Sequence, residues 1–297
     1  MKKIMHNLEE VYILNDNFVK FLEQQNLKRN PVGRKSTLSV SEYMTLIMLQ
    51  QELGIRINKV FYFLIKNLFQ KHFSKLPSYQ QFNEGLRYTL PYLLLLTSLL
   101  INKNKKKKAK FYIVDSTPLP ICANAYRYNL KIDFGLAKTG KNLNGWFHGF
   151  KAHLITNHNL EIVGLCFSDG AKKDYNVLNG NMIKDLTGWL IGDKGYICSQ
   201  VSQNLAKQGL FLLTRTRKNM KKFPATNYQN YLLSKRETIE TVFSILKSQL
   251  NMITQGAKSL LSFFSKIFAA ILLYCICKTQ NLKKYDYLDV FSLNLIS

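Results

Sequence analysis

The first hundred residues carry apolar side chains at helical spacing. Two capping boxes mark helix starts: Ser39 with Glu42, and Ser78 with Gln81, each placed before or within an apolar segment. Residues 1–104 are therefore predicted to form helices throughout. The apolar positions between the two boxes that keep this spacing are Val60, Phe61, Phe63, Leu64 and Leu68.

A basic run, Lys103–Lys110, ends the helical pattern and predicts a domain boundary. A cluster of like charges is usually a solvated linker, and often it also binds phosphates. The expected domains are therefore 1–104, 105–282 and a C-terminal tail, 283–297.

Beyond the basic run, short apolar segments typical of strands alternate with helical ones. The turn residues Asn157-His-Asn159 predict that the strands on either side pair as a hairpin. Three strands followed by helix, strand, helix, strand and helix predict a ribonuclease H-like α/β fold, a mixed sheet flanked by helices, behind an all-helical N-terminal domain. The predicted strands are 111–114, 150–156, 161–167, 189–191 and 210–214, and the predicted helices are 174–186, 199–208, 234–250 and 260–277.

Composition points to a polyanionic partner. The 297 residues include 42 lysines and arginines against 18 acids, a formal charge of +24. Such an excess repels itself unless a polyanion screens it, which favours nucleic acid as the partner. The longest apolar runs, Tyr92–Ile101 and Ile267–Cys277, are about half of the roughly 20 residues that a membrane-spanning helix needs, and the N-terminus does not resemble a signal peptide. We expect a cytoplasmic protein without a membrane partner.

Three acids occupy positions that suit metal chemistry. Asp115 follows the first predicted strand, Asp193 follows the fourth between two glycines, and Glu240 lies on the helix after the fifth. In a ribonuclease H-like sheet the first and fourth strands are neighbours, so these carboxylates would converge and repel one another unless divalent metal neutralised them. Two Mg²⁺ ions roughly 3.5–4 Å apart, which Mn²⁺ could replace, would activate a water or a 3′-hydroxyl for attack on a phosphodiester.

The sequence around these acids resembles a known family. The segments YIVDSTPLP, WFHGFKAHLITN, LIGDKGYI and SKRETIETVFSILK are similar to the DDE transposases of bacterial insertion sequences, most closely the insertion sequence 982 family. The N-terminal segments GRKSTLSVSEYMTLIML and LPSYQQFN extend the resemblance over essentially the whole chain. It implies a metal-dependent transposase that nicks and joins double-stranded DNA, with the terminal inverted repeats of its element and a target DNA as partners. It also implies a helix-turn-helix-like N-terminal domain that binds the DNA ends, and at least a homodimer.

The resemblance assigns the catalytic and metal-binding triad to Asp115, Asp193 and Glu240. Related groups carry a third motif, Y-x2-R-x3-E-x6-K, in which Arg236, Glu240 and Lys247 match while Leu233 stands at the tyrosine position. The apolar stripe of this helix places Glu240, rather than Glu237, at the border that faces the other acids. The candidate phosphate contacts are Arg236, Lys247, Lys194 and Lys151.

Two other functions account for part of the sequence. A DNA-binding regulator without catalysis explains the charge but not three acids at strand ends and on a helix. A ribonuclease H-like nuclease of another kind, such as a resolvase, shares the chemistry and differs in local motifs and in the N-terminal domain.

Overall fold

The computed structural model describes residues 8–25, 36–68, 75–122, 135–142, 145–217, 220, 224–252 and 258–279. Within them the chain divides into two units. One contains the described residues up to Leu100 together with those from Leu246 onward, and the other runs from Ile101 to Ile245.

Helices build the first unit. Both predicted capping boxes are confirmed: the Ser39 side chain accepts from the Glu42 backbone N–H, and that of Ser78 accepts from Gln81, while each partner side chain reaches back to the cap. Local sequence thus fixes where these helices begin, because the caps satisfy backbone donors that a helix start leaves unpaired. The helices are α1 (Leu8–Gln24), α2 (Val40–Glu52), α3 (Asn58–Leu68), α4 (Tyr79–Tyr88), α5 (Leu90–Lys105, which continues into the second unit) and α9 (Leu260–Thr279).

Helix α9 packs against α2 and α4. The predicted domain limits placed residues 246–282 with the sheet, whereas the structure groups the described part of this segment with the N-terminal helices. A helix that is apolar around its whole circumference needs apolar neighbours on several sides, and these helices supply them. By length and composition α9 could cross a membrane, but 72% of its apolar window, within Leu260–Lys278, is buried as in a core helix.

The second unit contains a mixed six-stranded sheet in the part of the chain that the structure describes. Its order is β2-β3-β1-β5-β6, and β4 pairs with the other side of β3. The predicted hairpin, β3 with β4, and the predicted neighbours β1 and β5 are confirmed, while β2 was not predicted. The strands are β1 (Tyr112–Cys122), β2 (Lys138–Asn142), β3 (Gly145–Asn157), β4 (Ile162–Asp169), β5 (Gly188–Ile191) and β6 (Leu210–Leu213), and the helices are α6 (Ser199–Lys207), α7 (Asn227–Ser234) and α8 (Thr238–Ser244).

Strand β1 extends well past its predicted end, so Asp115 lies inside the strand. Antiparallel pairing with β3 continues along almost its whole length, whereas parallel pairing with β5 covers Tyr112 and Ile113. Prolines 118 and 120 remain compatible with the strand because prolines are tolerated where one edge is unpaired. Asp115 therefore sits where the neighbour β5 has just ended.

The predicted helix 174–186 is wrong. The structure has two short 3-10 turns instead, Asp174–Val177 and Gly180–Met182. Gly180 has a φ of +50° and Asp185 a φ of +66°. Both values lie in the left-handed region, which a right-handed helix cannot contain.

The basic run is not simply a solvated linker. The buried Asn104 amide donates to the Ile162 carbonyl at 3.2 Å, and the Lys105 ammonium donates to the Asn181 carbonyl at 2.7 Å. Lys107 forms an ion pair with the buried Glu161. Asn104 and Lys107 thus fasten the start of the second unit to its β3–β4 hairpin, and Lys105 fastens it to the 3-10 turn Gly180–Met182.

The turn between β3 and β4 depends on Asn157. Its side-chain carbonyl accepts from the backbone N–H groups of Asn159 and Glu161, each at 3.0 Å, and its amide donates to the Glu161 carboxylate at 2.7 Å. Asn157 itself is buried. Since the Glu161 side chain is only 9% exposed, its carboxylate needs both Asn157 and Lys107 as partners.

Asn157→Ala should lower the free energy of unfolding of the sheet unit by about 1–3 kcal/mol, because it leaves buried polar groups unpaired. Both tryptophans, Trp146 and Trp189, lie in this unit, so fluorescence-detected urea unfolding reports on it. Asn159→Ala, at an exposed position of the same turn, is the matched control and should change stability little. Equal losses in the two variants would contradict this account of the turn.

Candidate active site

Asp115 is a largely buried carboxylate on β1. Its side chain is 21% exposed, and its Oδ1 accepts from the Ser116 backbone N–H at 2.7 Å. The pKa of Asp115 is raised to about 6, mainly by burial and to a smaller extent by the charges of Asp193 and Asp174, against the opposing effects of the Ser116 backbone N–H and of Arg236. Burial is therefore the main reason that this carboxyl group is hard to ionise.

Asp193 presents an exposed carboxylate beyond the end of β5. The preceding Gly192 donates its N–H to the Leu213 carbonyl at 3.0 Å, and a Cβ at Gly192 would lie 3.1 Å from Val114 Cγ1. Asp193 opens the 3-10 turn Lys194–Tyr196, but its side chain makes no capping hydrogen bond. A turn-capping role, the ordinary explanation for an acid at this position, is therefore not what holds this carboxylate.

Glu240 lies on α8, which packs against β1. The single helix predicted over 234–250 is wrong, because the structure breaks it into the end of α7, α8 and a π-helical turn, Ile245–Gln249. Glu237 thus stands at the N-cap position, and Glu240 is the acid in the first turn of α8. The predicted apolar stripe of Ile239, Val242, Leu246 and Leu250 is confirmed as buried.

Arg236 connects two of the acids. One guanidinium nitrogen lies 3.9 Å from Asp115 Oδ2, and the other lies 3.7 Å from Glu240 Oε1. These are ion-pair rather than hydrogen-bond distances. Among the residues that the structure describes, no three Asp, Glu, His or Cys side chains form a group close enough to hold a metal ion. The structure brings Asp115 and Glu240 to a shared arginine, with Asp193 near enough to act on the Asp115 charge.

The other candidate phosphate contacts have different surroundings. Lys194 is exposed, and its carbonyl accepts from the Arg217 guanidinium at 2.9 Å. The Lys151 ammonium is engaged by the Lys172 carbonyl at 2.8 Å and by Asp174 Oδ1 at 2.9 Å. Lys247 belongs to the helical unit, and burial lowers the pKa of its ammonium.

A buried polar network beside the acids was not predicted. His153 on β3 is fully buried, with Nε2 2.9 Å from Ser168 Oγ and Nδ1 3.4 Å from the Tyr196 hydroxyl. The Tyr196 hydroxyl also interacts with Ser116, the neighbour of Asp115. Burial lowers the pKa of His153 to about 4, so the imidazole is neutral at neutral pH. Tyr196 anchors the Asp193 turn to β1 and β3, and only its place in LIGDKGYI hinted at a role.

A family model described as Transposase DDE domain matches residues 105–256. The chain belongs to this family of DDE transposases. The match spans Asp115, Asp193, Arg236, Glu240 and Lys247. It confirms the predicted function, a DNA transposase that cleaves and transfers strands, and divalent metal ions are general to such enzymes.

A solved structure supports the fold. It is described as a piggyBac transposase synaptic complex with hairpin DNA. The two structures superpose with a TM-score of 0.51 and share 9% sequence identity, over 97% of this chain and 79% of that chain. At this identity the likeness concerns the fold alone, and it confirms the predicted ribonuclease H-like architecture. No curated protein matches the sequence.

Asp115→Asn should stabilise the sheet unit in metal-free buffer above about pH 6. With a folded-state pKa of about 6 against an ordinary 3.8, the folded protein retains a proton that the unfolded chain has released. Wild-type stability therefore falls as pH rises between about 4 and 6. The asparagine variant lacks this titration, so the difference between its free energy of unfolding and that of the wild type grows across that window. Above about pH 6 the difference stays constant, at no more than about 3 kcal/mol.

Tryptophan-detected urea unfolding at several pH values measures this difference. Asp185→Asn removes an exposed acid from the same unit and provides the control, with no growth of its stability difference across the window. If Asp115→Asn behaved like Asp185→Asn, the carboxylate would not be buried at a cost in the folded state.

Proposed function

We propose that this transposase acts on the terminal inverted repeats of a bacterial insertion sequence of the insertion sequence 982 type, in the bacterial cytoplasm. The observation that carries the proposal is the convergence of Asp115 and Glu240 on Arg236, with Asp193 at the end of the neighbouring strand. These are the three acids that the resemblance assigns to the catalytic triad.

Asp115, Asp193 and Glu240 would hold the divalent ions. Carboxylate oxygens are the ligands that Mg²⁺ prefers, and all three side chains are carboxylates, of which Asp193 and Glu240 are exposed, so the donor set fits such an ion. Two bound Mg²⁺ ions, or Mn²⁺ in their place, would activate a water or a 3′-hydroxyl and stabilise the leaving oxygen of the phosphodiester.

Arg236 has two tasks in this proposal. It lies at ion-pair distance from both Asp115 and Glu240. This shared contact would hold α8 against β1 where the two acids lie. Its contacts are longer than hydrogen bonds, so the guanidinium can turn toward a DNA phosphate, the ligand that its planar fork suits. Lys194 is exposed beside Asp193, and its ammonium would contact the phosphates of the DNA backbone.

The helical unit would recognise the element's ends. Lysines and arginines outnumber acids in residues 1–104, and helices that present such charge are a usual means of reading DNA. Because α9 packs on α2 and α4, a fragment limited to 1–104 would lose part of its packing. Joining two ends would require at least a homodimer, which we include in the proposal.

Glu240→Gln should abolish the joining of DNA ends in Mg²⁺, as should Asp115→Asn and Asp193→Asn, because each removes a charged metal ligand. Glu237→Gln is the matched control. Glu237 is exposed at the N-cap position without a capping hydrogen bond, so its loss should leave joining nearly unchanged. The measurement is a strand-transfer assay with oligonucleotides that carry the element's ends.

DNA binding by all four variants should equal that of the wild type in metal-free buffer. Joining by Glu240→Gln, together with failure of Glu237→Gln, would move the third ligand to Glu237. Retained joining by Asp115→Asn or Asp193→Asn would refute the triad.

The full chain should bind a duplex carrying the terminal repeat more tightly than a scrambled duplex of equal length. Since phosphate contacts release counterions, log affinity for both duplexes should fall linearly with log salt concentration. The preference should persist as salt rises, because contacts to base edges do not depend on counterion release. Fluorescence anisotropy over a salt series measures the salt dependence and the preference for the terminal repeat. Equal affinities for the two duplexes at all salt concentrations would mean that the chain binds DNA without sequence preference.

A further inference from the structure

A cavity of about 740 Å³ lies within the sheet unit, a volume in the range of small-ligand sites. Strands β2 and β3 form one side, and the segments that follow β4 and β5 form the other. The side chains that define its chemistry are Lys141, Trp146, Lys172, Asp174, Tyr175 and Arg217.

Trp146 gives the cavity an aromatic wall. It is 61% exposed at the start of β3, opposite Lys141 of β2 in the strand register. The Lys141 ammonium lies 5.5 Å from the centre of the Trp146 ring. A large aromatic surface left open beside a cation is what proteins use to stack a nucleic-acid base next to its phosphate.

The cavity is strongly basic. Five cationic side chains line it against a single acid, Asp174. That acid is already neutralised by the Lys151 ammonium at 2.9 Å, so the remaining cations, which include Lys172 and Arg217, leave a net positive charge. The cavity therefore favours a phosphorylated ligand over a neutral one.

The cavity adjoins the candidate active site. Gly195 lines it and belongs to the 3-10 turn that Asp193 opens. A Cβ at Gly195 would lie 3.1 Å from Asp174 Oδ2, so the turn and the Asp174 segment are in close contact. A strand whose phosphodiester is held at the acids could place its neighbouring nucleotide in this cavity.

We propose that the cavity binds one unpaired nucleotide of the DNA strand next to the bond that is cut, with its base on Trp146 and its phosphates on Lys141 and Lys172. This assignment rests on the proposed transposase function for the identity of the strand. Inside a duplex the faces of each base are covered by its neighbours, so away from the duplex ends a single indole can stack on a base only when that nucleotide has left the helix. An acidic peptide would match the charge but would leave the Trp146 face without a stacking partner.

The test compares a duplex that ends in a short single-stranded overhang with a blunt duplex of the same sequence, in metal-free buffer. In the Trp189→Phe protein Trp146 is the remaining tryptophan, and the overhang DNA should quench its fluorescence more than the blunt DNA does. Trp146→Ala should weaken binding of the overhang DNA by about 5- to 150-fold, the range for losing one stacked base. Its affinity for the blunt duplex should not change.

Lys141→Ala should also weaken binding of the overhang DNA. The control is Lys207→Ala, which removes an exposed lysine from the last turn of α6. It should weaken binding of the overhang DNA and of the blunt DNA slightly and by the same factor. Unchanged overhang binding by Trp146→Ala would overturn the assignment, and so would equal quenching by polyglutamate. A wild-type chain that binds the overhang through Trp146 yet joins no DNA ends would refute the proposed function and leave the cavity assignment standing. Joining with unaltered overhang binding in Trp146→Ala would refute the cavity assignment alone.

Discussion

The short parallel pairing of β1 with β5 is the constraint on which the candidate site depends. It covers only two residue pairs, Tyr112 with Leu190 and Ile113 with Ile191. Because β5 ends there while β1 continues along β3, Asp115 and Asp193 emerge at the same step in the sheet. Gly192 permits that step, since a side chain there would crowd Val114. As a result, the Asp115 carboxylate is largely buried in the sheet and the Asp193 carboxylate lies on an exposed turn.

Electrostatics explains why this arrangement is costly without a bound cation. The chain has a formal charge of +24, yet it places Asp115 where burial and neighbouring acids raise its pKa. Arg236 is the nearby opposite charge, and it is shared with Glu240 at distances beyond hydrogen bonding. Groups whose pKa is strongly perturbed by burial and by neighbouring charges cluster at functional sites. Burying Asp115 lowers the stability of the folded protein, which is typical of a site whose residues serve to bind a ligand rather than to stabilise the fold.

Residues around the acids hold them indirectly. Tyr196 connects the Asp193 turn to His153 and to Ser116, and Lys151 ties Asp174 and the Lys172 carbonyl to β3. The same Lys151 tether forms part of the basic cavity beside the acids. The contacts that hold the segments bearing Asp115 and Asp193 and those that set the charge of the cavity therefore lie side by side within the sheet unit.

The sequence by itself determined the local features: the two capping boxes, the β3–β4 hairpin, the buried apolar stripe from Ile239 to Leu250 and the family motifs around Asp115, Asp193 and Glu240. These depend on neighbouring residues, whose side chains and turn types act over a few positions. Only the tertiary structure decided that β1 runs on past Asp115, that α9 joins the helical unit, and that Asn104 and Lys107 contact the β3–β4 hairpin. Each of these depends on a partner distant in the chain, for which spacing along one segment gives no signal. The role of Lys151 was decided in the same way, because a lysine's partner is chosen by the fold and not by its neighbours in sequence.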